Sequence, residues 1–154
     1  MDGYIELRTE SMKENKMQKK ALVTGASSGI GLAIAEKLVM EGYEVYGLGR
    51  DFSKGEYLQA DINCKVDKLN GDESHISTRF HKITCDLCNT TKLIETIQDI
   101  NKDHDISLLI NNAGVGYYGL HEELNPQKIS QMVRTNLEAP MIITNLLLRD
   151  LKKN

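Results

Sequence analysis

The segment of this chain best suited to chemistry is Thr24-Gly25-Ala26-Ser27-Ser28-Gly29-Ile30-Gly31. Its glycines are spaced Gly-x-x-x-Gly-x-Gly, directly after a short apolar run, Ala21-Leu22-Val23, and directly before a stretch rich in Ala, Ile and Leu. Glycine lets a backbone turn tightly and come close to an anion. A helix that starts there adds unpaired N–H groups and the positive end of its dipole. The segment therefore reads as a phosphate-binding turn between a strand and a helix. The alternative is a tight turn that uses glycine only for packing; the preceding strand, the following helix and the two serines favour the phosphate site.

Other chemistry-bearing residues give weaker signals. Cys85-Asp86-Leu87-Cys88 has Cys-x-x-Cys spacing. A zinc site would need a second pair of ligands, and none is convincing nearby. A redox pair would open a helix in a different strand context. The segment is read as two partly buried cysteines flanking Asp86. With Cys64 the cysteines number three, which suggests no disulfide framework. His75, His81, His104 and His121 are scattered and read as surface residues, so no metal site is expected. Tyr117 and Tyr118 either line a pocket or pack a loop.

The elements that must hold these residues follow from periodicity. Strands are expected at 21–23, 43–48, 80–85 and 106–110; the last is almost continuously apolar, as a parallel strand covered on both faces would be. A helix is expected over 30–40, stopped by Gly42. Another spans 90–102, with Leu93, Ile97 and Ile100 on one face. A third begins at Pro126 behind Asn125 as its cap and continues with Ile129, Met132, Val133, Asn136 and Leu137 at helical spacing. This alternation specifies an α/β domain with a mainly parallel sheet. Residues 1–19 read as a polar leader, with Met12 and Met17 as alternative starts. Residues 51–79 read as irregular helix and loop, an insertion into the 20–154 domain.

Composition narrows the class. The 154 residues are 40% hydrophobic and 27% charged, the balance of one globular domain. The net charge of −3 lacks the basic excess of a nucleic-acid binder. No apolar run approaches the roughly 20 residues that cross a bilayer. The expected compartment is the cytoplasm, with neither a membrane nor a nucleic acid as partner.

The glycine segment, together with three later landmarks in order, resembles the short-chain dehydrogenase/reductase family. Thr24 to Gly31 matches its glycine motif. Asp86-Leu87 follows the third strand, where the family sets an acidic residue against adenine. Asn111-Asn112-Ala113-Gly114 follows the fourth strand and matches its Asn-Asn-Ala-Gly motif, and Asn136 matches the helix asparagine of its catalytic tetrad. The resemblance implies a Rossmann-type doubly wound parallel sheet in the order 3-2-1-4, truncated after the fourth strand and its following helix. It implies NAD(P)-dependent hydride transfer between carbonyl and alcohol, with a small carbonyl or alcohol as substrate of a complete protein. Cofactor contacts then fall to Thr24, Gly25, Ser27, Ser28, Gly29, Ile30, Gly31, Arg50, Asp86, Leu87, Asn112, Ala113 and Gly114. Asn136 is the one tetrad member present.

Arg50 bears on the choice of cofactor. An acidic residue just past the second strand would accept from the adenosine ribose 2′-hydroxyl of NAD, whereas arginine can pair the 2′-phosphate of NADP. The neutral Gly49 stands where the NAD-selecting acid is expected, so NADP is preferred over NAD. Asp51 next door would reverse this if the register shifted by one residue, and Arg50 could instead be a solvated surface residue. The family's tyrosine base and the lysine four residues beyond it are not found: the fourth positions after the six tyrosines are Arg8, Gly47, Arg50, Asp61, His121 and Glu122. Two readings follow, the cofactor-binding part of an oxidoreductase or a non-catalytic nucleotide-binding or assembly module. In either, the unpaired apolar strand 106–110 and the apolar helix 126–151 favour self-association.

Overall fold

The computed structural model describes residues 19–53, 79–103 and 105–153. Most of the expected leader and of the 51–79 insertion, with Cys64, His75 and His104, lies outside them. Four strands form the sheet: β1 (Lys20–Thr24), β2 (Glu44–Gly49), β3 (Phe80–Thr84) and β4 (Ile106–Ile110). All pair in parallel, in the order β3-β2-β1-β4. Helix α1 (Gly29–Met40) follows β1, α2 (Thr90–Asp103) follows β3, and α3 (Pro126–Val133) and α4 (Ala139–Leu151) follow β4.

The period of two along β1 divides the interior into two layers. Ala21 and Val23 point to one face, where they pack with Ala35 and Val39 of α1 and with Val45 and Phe80. Leu22 points to the other, with Leu93 and Ile97 of α2 and Ile143 and Leu147 of α4. Leu93, Ile97 and Ile100 are all buried, as their spacing requires. Among the described residues β4 pairs with β1 alone, so it lies at the edge of this sheet. Only Ile106 at its start is fully buried, and the other four residues are half-buried. The expectation of cover on both faces holds for part of this strand.

Polar ties fix the rest. Glu44 accepts hydrogen bonds from Tyr46 (2.9 Å) and pairs with His81 Nε2 (2.8 Å), and the Tyr46 and His81 rings stack at 4.8 Å. His81 is thus a partner of the sheet, not the free surface residue expected; His121 is exposed. Burial works to raise the Glu44 pKa, but these two partners more than offset it and hold the carboxyl below its ordinary range. Burial and then the Glu44 bond push the Tyr46 phenol up.

The helix expected to run unbroken from Pro126 to residue 151 is interrupted by a π-helical turn, Arg134–Glu138. Pro140 has no N–H to offer the carbonyl of Asn136 four residues back, so the α-helical ladder cannot continue through that turn. The N–H of Ala139 instead reaches back five residues, to Arg134. Asn125 caps α3 as expected, its side chain accepting from the Gln127 N–H at 2.8 Å. Among the described residues no helix is long and apolar enough to cross a membrane.

Buried Asp150 anchors the end of α4. The hydrogen bond from Lys153 (2.6 Å), and then that from Asn101 (2.8 Å), hold its carboxyl below the usual range. A depressed folded pKa contributes stability that is present above the unfolded value, near 3.8, and is lost as pH falls through the folded value. Lys153→Met should therefore lower the urea midpoint at pH 7, and the difference from the parent should shrink progressively below pH 3.8.

Candidate nucleotide site

A cavity of about 460 Å³ opens at the carboxyl ends of the strands. There β1 leads to a helix on one face of the sheet, and its neighbour β4 leads to helices on the other. Such a switch point is where an open α/β sheet leaves a crevice for a ligand.

The floor is a closely packed pair of backbone turns held by the side chains of Thr24 and Asn112. Thr24 is buried at the end of β1; its Oγ1 accepts from the N–H groups of Asn112 (3.1 Å) and Ala113 (3.0 Å). Asn112 returns the contact, its Nδ2 donating to the Thr24 carbonyl at 3.1 Å and reaching the Gly25 carbonyl at 3.5 Å. Gly25 turns the chain at φ +70, where an added Cβ would lie 2.9 Å from both Ala113 Cα and Asn112 Nδ2. A Cβ on Gly31 would fall 2.2 Å from the Gly25 carbonyl oxygen and 2.4 Å from Asn112 Nδ2. The first turn of α1 therefore rests directly on the β1 turn, and Ser27 and Ser28, which lead into it, line the cavity. Ser28 precedes that helix in extended backbone (φ −166, ψ 171), and its side chain makes no capping hydrogen bond.

Two walls rise from this floor. The first combines Leu48, Gly49, Arg50 and Asp51 from the end of β2 with Cys85, Asp86 and Leu87 after β3. Gly49 leaves no room for an acid, since a Cβ there would be 2.8 Å from Ser27 Cβ. Arg50 is exposed at the cavity, while Asp51 accepts from the Ser53 N–H at 2.7 Å. Asp86 shapes its own turn by accepting from the Cys88 N–H at 3.0 Å. Burial pushes the Cys85 thiol up, so it is a poor nucleophile at neutral pH. The second wall is Asn112, Ala113, Gly114 and Val115, with Thr135 of the π turn between the two.

Of the residues expected from sequence, Gly25, Ser27, Ser28, Arg50, Asp86, Leu87, Asn112, Ala113 and Gly114 line this one cavity. Thr24, Gly31 and Asn136 lie behind it as supports. Gly29 (φ +56) faces open space, and Ile30 is 76% exposed and does not line the cavity. Asn136 spends its side chain on one residue: Oδ1 accepts from the Val115 N–H at 2.9 Å and Nδ2 donates to the Val115 carbonyl at 2.8 Å. Its side-chain amide thus holds the loop after β4, with one donor and one acceptor position of the amide still unused. Tyr117 packs against α3, its hydroxyl bonded to Gln131 and its ring under Lys128, and Tyr118 is fully exposed. The sequence reading missed Leu48, Cys85, Val115 and Thr135 as lining residues; adjacency to the two asparagine landmarks was the available signal for the last two.

Residues 19–154 match the sequence model of a family described as short chain dehydrogenase. The chain is 30% identical over 131 residues to an NADPH-dependent 3-dehydrocapnine reductase of Ornithobacterium rhinotracheale, covering 83% of this chain and 41% of that protein. It is 32% identical over 136 residues to a serine 3-dehydrogenase of Rhizobium radiobacter, covering 86% and 48%. A metagenomic short-chain oxidoreductase solved in complex with NADP superposes with a TM-score of 0.72 at 29% identity, covering 86% of this chain and 56% of that one. The chain spans about half the length of the curated relatives it matches.

The close floor is testable by adding one carbon. Gly31→Ala should destabilise the chain by about 1–3 kcal/mol, the usual cost of overpacking. Gly116→Ala, where a Cβ meets nothing within 4 Å, should leave the urea midpoint within error of the parent.

Proposed function

The chain belongs to the short-chain dehydrogenase family, and on that premise we propose that its cavity binds the adenosine-phosphate part of a nicotinamide dinucleotide, with NADP preferred over NAD. The observation that carries this reading is the convergence of Gly25, the two serines that lead into α1, and Arg50 on one cavity. The residues fit such a group. A pyrophosphate would lie over Gly25, Ser27, Ser28 and the first N–H groups of α1. Arg50 would pair a ribose 2′-phosphate beside a Gly49 that admits no competing carboxylate. Asp86 and Leu87 would face the base, and Asn112, Ala113 and Gly114 would continue the groove. The bound dinucleotide would supply the hydride; this chain's part is to bind and orient it.

The whole protein's activity is proposed as oxidoreduction between a carbonyl and an alcohol in the cytoplasm, with the domain beginning near Lys20. General acid–base help of about 10²- to 10⁴-fold has no evident donor here, since no tyrosine is followed four residues later by lysine. The edge strand β4 and the exposed side chains of Leu137 and Met141 (58% and 64% exposed) support self-association, which light scattering at rising concentration reads directly.

Calorimetric titration with 2′-phospho-AMP and AMP tests the nucleotide reading. The phosphorylated ligand should bind more tightly, and Arg50→Ala should remove the preference. A charge-assisted hydrogen bond contributes about 1.5–3 kcal/mol, or about 10- to 150-fold in affinity. Equal affinities in the parent would refute the choice of NADP. In a second assay, following NADPH at 340 nm with a panel of ketones and aldehydes, the 154-residue chain should show no turnover. Turnover abolished by Tyr117→Phe would place an acid where none is assigned.

A further inference from the structure

We infer that Thr135 and Glu138 are positioning residues: through the π turn they couple the wall of the cavity after β3 to the grip of Asn136 on Val115. Three of the five residues of Arg134–Glu138 are tied to the connection between β3 and α2 or to the first residue of α2. Thr135 Oγ1 lies 3.3 Å from Cys88 Sγ, Arg134 donates to the Cys88 carbonyl at 3.3 Å, and Glu138 accepts from Thr90 Oγ1 at 2.7 Å. A fourth, Asn136, is tied instead to the opposite wall, by the paired hydrogen bonds to Val115. The turn is thus bonded to the second wall through Val115 and to Cys88 and Thr90 just past the first, and Thr135, 7% exposed, lines the same cavity.

Local composition explains why this turn can act as a joint. Pro140 denies the Asn136 carbonyl its α-helical donor, so the segment cannot relax into a regular helix that would carry its side chains to other directions. A buried threonine hydroxyl needs a partner, and the thiol supplies it. Cys88 also adjoins the turn that Asp86 makes through the Cys88 N–H. A shift of the Asp86-Leu87 edge is therefore passed to Cys88, from Cys88 to Thr135, and from Asn136 to the Val115 N–H.

The link is measurable without ligand. Amide exchange by NMR in the 154-residue chain should be compared for the parent, Thr90→Val/Thr135→Val and Thr90→Ser/Thr135→Ser. The valine pair keeps the shape and removes both hydroxyls; exchange at the Val115 amide should rise at least about fivefold, the effect of one neutral hydrogen bond, since the second bond lost is to a carboxylate and counts for more. The Leu22 amide in the core should be unchanged, and the serine pair should restore the parent rate. Unchanged exchange at Val115, or an equal rise at Leu22, would overturn the link. If the double variant does not fold, Cys88→Ala severs the Thr135 contact from the other side and is read in the same way. A second arm, which rests on the nucleotide reading, adds saturating 2′-phospho-AMP. It should slow Val115 exchange in the parent and not in the valine pair. Binding with no response at Val115 would overturn the coupling alone. Failure of 2′-phospho-AMP to bind would refute the nucleotide reading, with the ligand-free arm still deciding the link.

Discussion

The contact between the β1 turn and the loop after β4 governs the rest of this molecule. Two strands adjacent in space but separated by more than eighty residues in sequence end side by side, and their exits must diverge to opposite faces of the sheet. Thr24 and Asn112 hold the exits together by exchanging hydrogen bonds in both directions. The approach is so close that Gly25 and Gly31 have no space for a methyl group. The cavity, the direction of α1 and the placement of both walls follow from that junction.

Local signals carried the fold well where one period dominated. The Leu93, Ile97, Ile100 stripe set α2, and Asn125-Pro126 set the start of α3, because cap chemistry and spacing are properties of adjacent residues. The glycine turn was legible for the same reason. Directions of individual side chains within the site were not. Thr24 and Gly31 match the glycine motif and Asn136 the tetrad asparagine, yet the first two are packed against protein and the third is bonded to Val115, since a motif records which residues recur without saying what each one touches. His81 looked isolated because its partners, Glu44 and Tyr46, lie across a strand pair whose register only the folded sheet sets.

The π turn is an instructive omission. Its cause, Pro140, was in plain view, and a proline inside a helical pattern should have signalled an interrupted ladder. Apolar spacing on both sides of the interruption hid it, since Ile129 and Met132 before it and Ile143 and Leu147 after it each recur at helical intervals, although only the second pair is buried. Residues such as Thr135 became visible as site residues only once the widened turn set their direction.

A floor of this kind has a thermodynamic consequence. Backbone amides and glycines carry no rotamers, so a ligand that settles on them freezes few side-chain degrees of freedom in the protein. Threonine and asparagine, which do have rotamers, have already been immobilised during folding by their mutual bonds. On the proposed reading, the entropy lost on association would fall instead on the ligand, on the small side chains of Ser27 and Ser28 and on the exposed arm of Arg50. On the nucleotide reading proposed above, affinity gained at the floor would vary little among ligands that share a pyrophosphate, while discrimination among them would fall to the long side chain that must still be ordered.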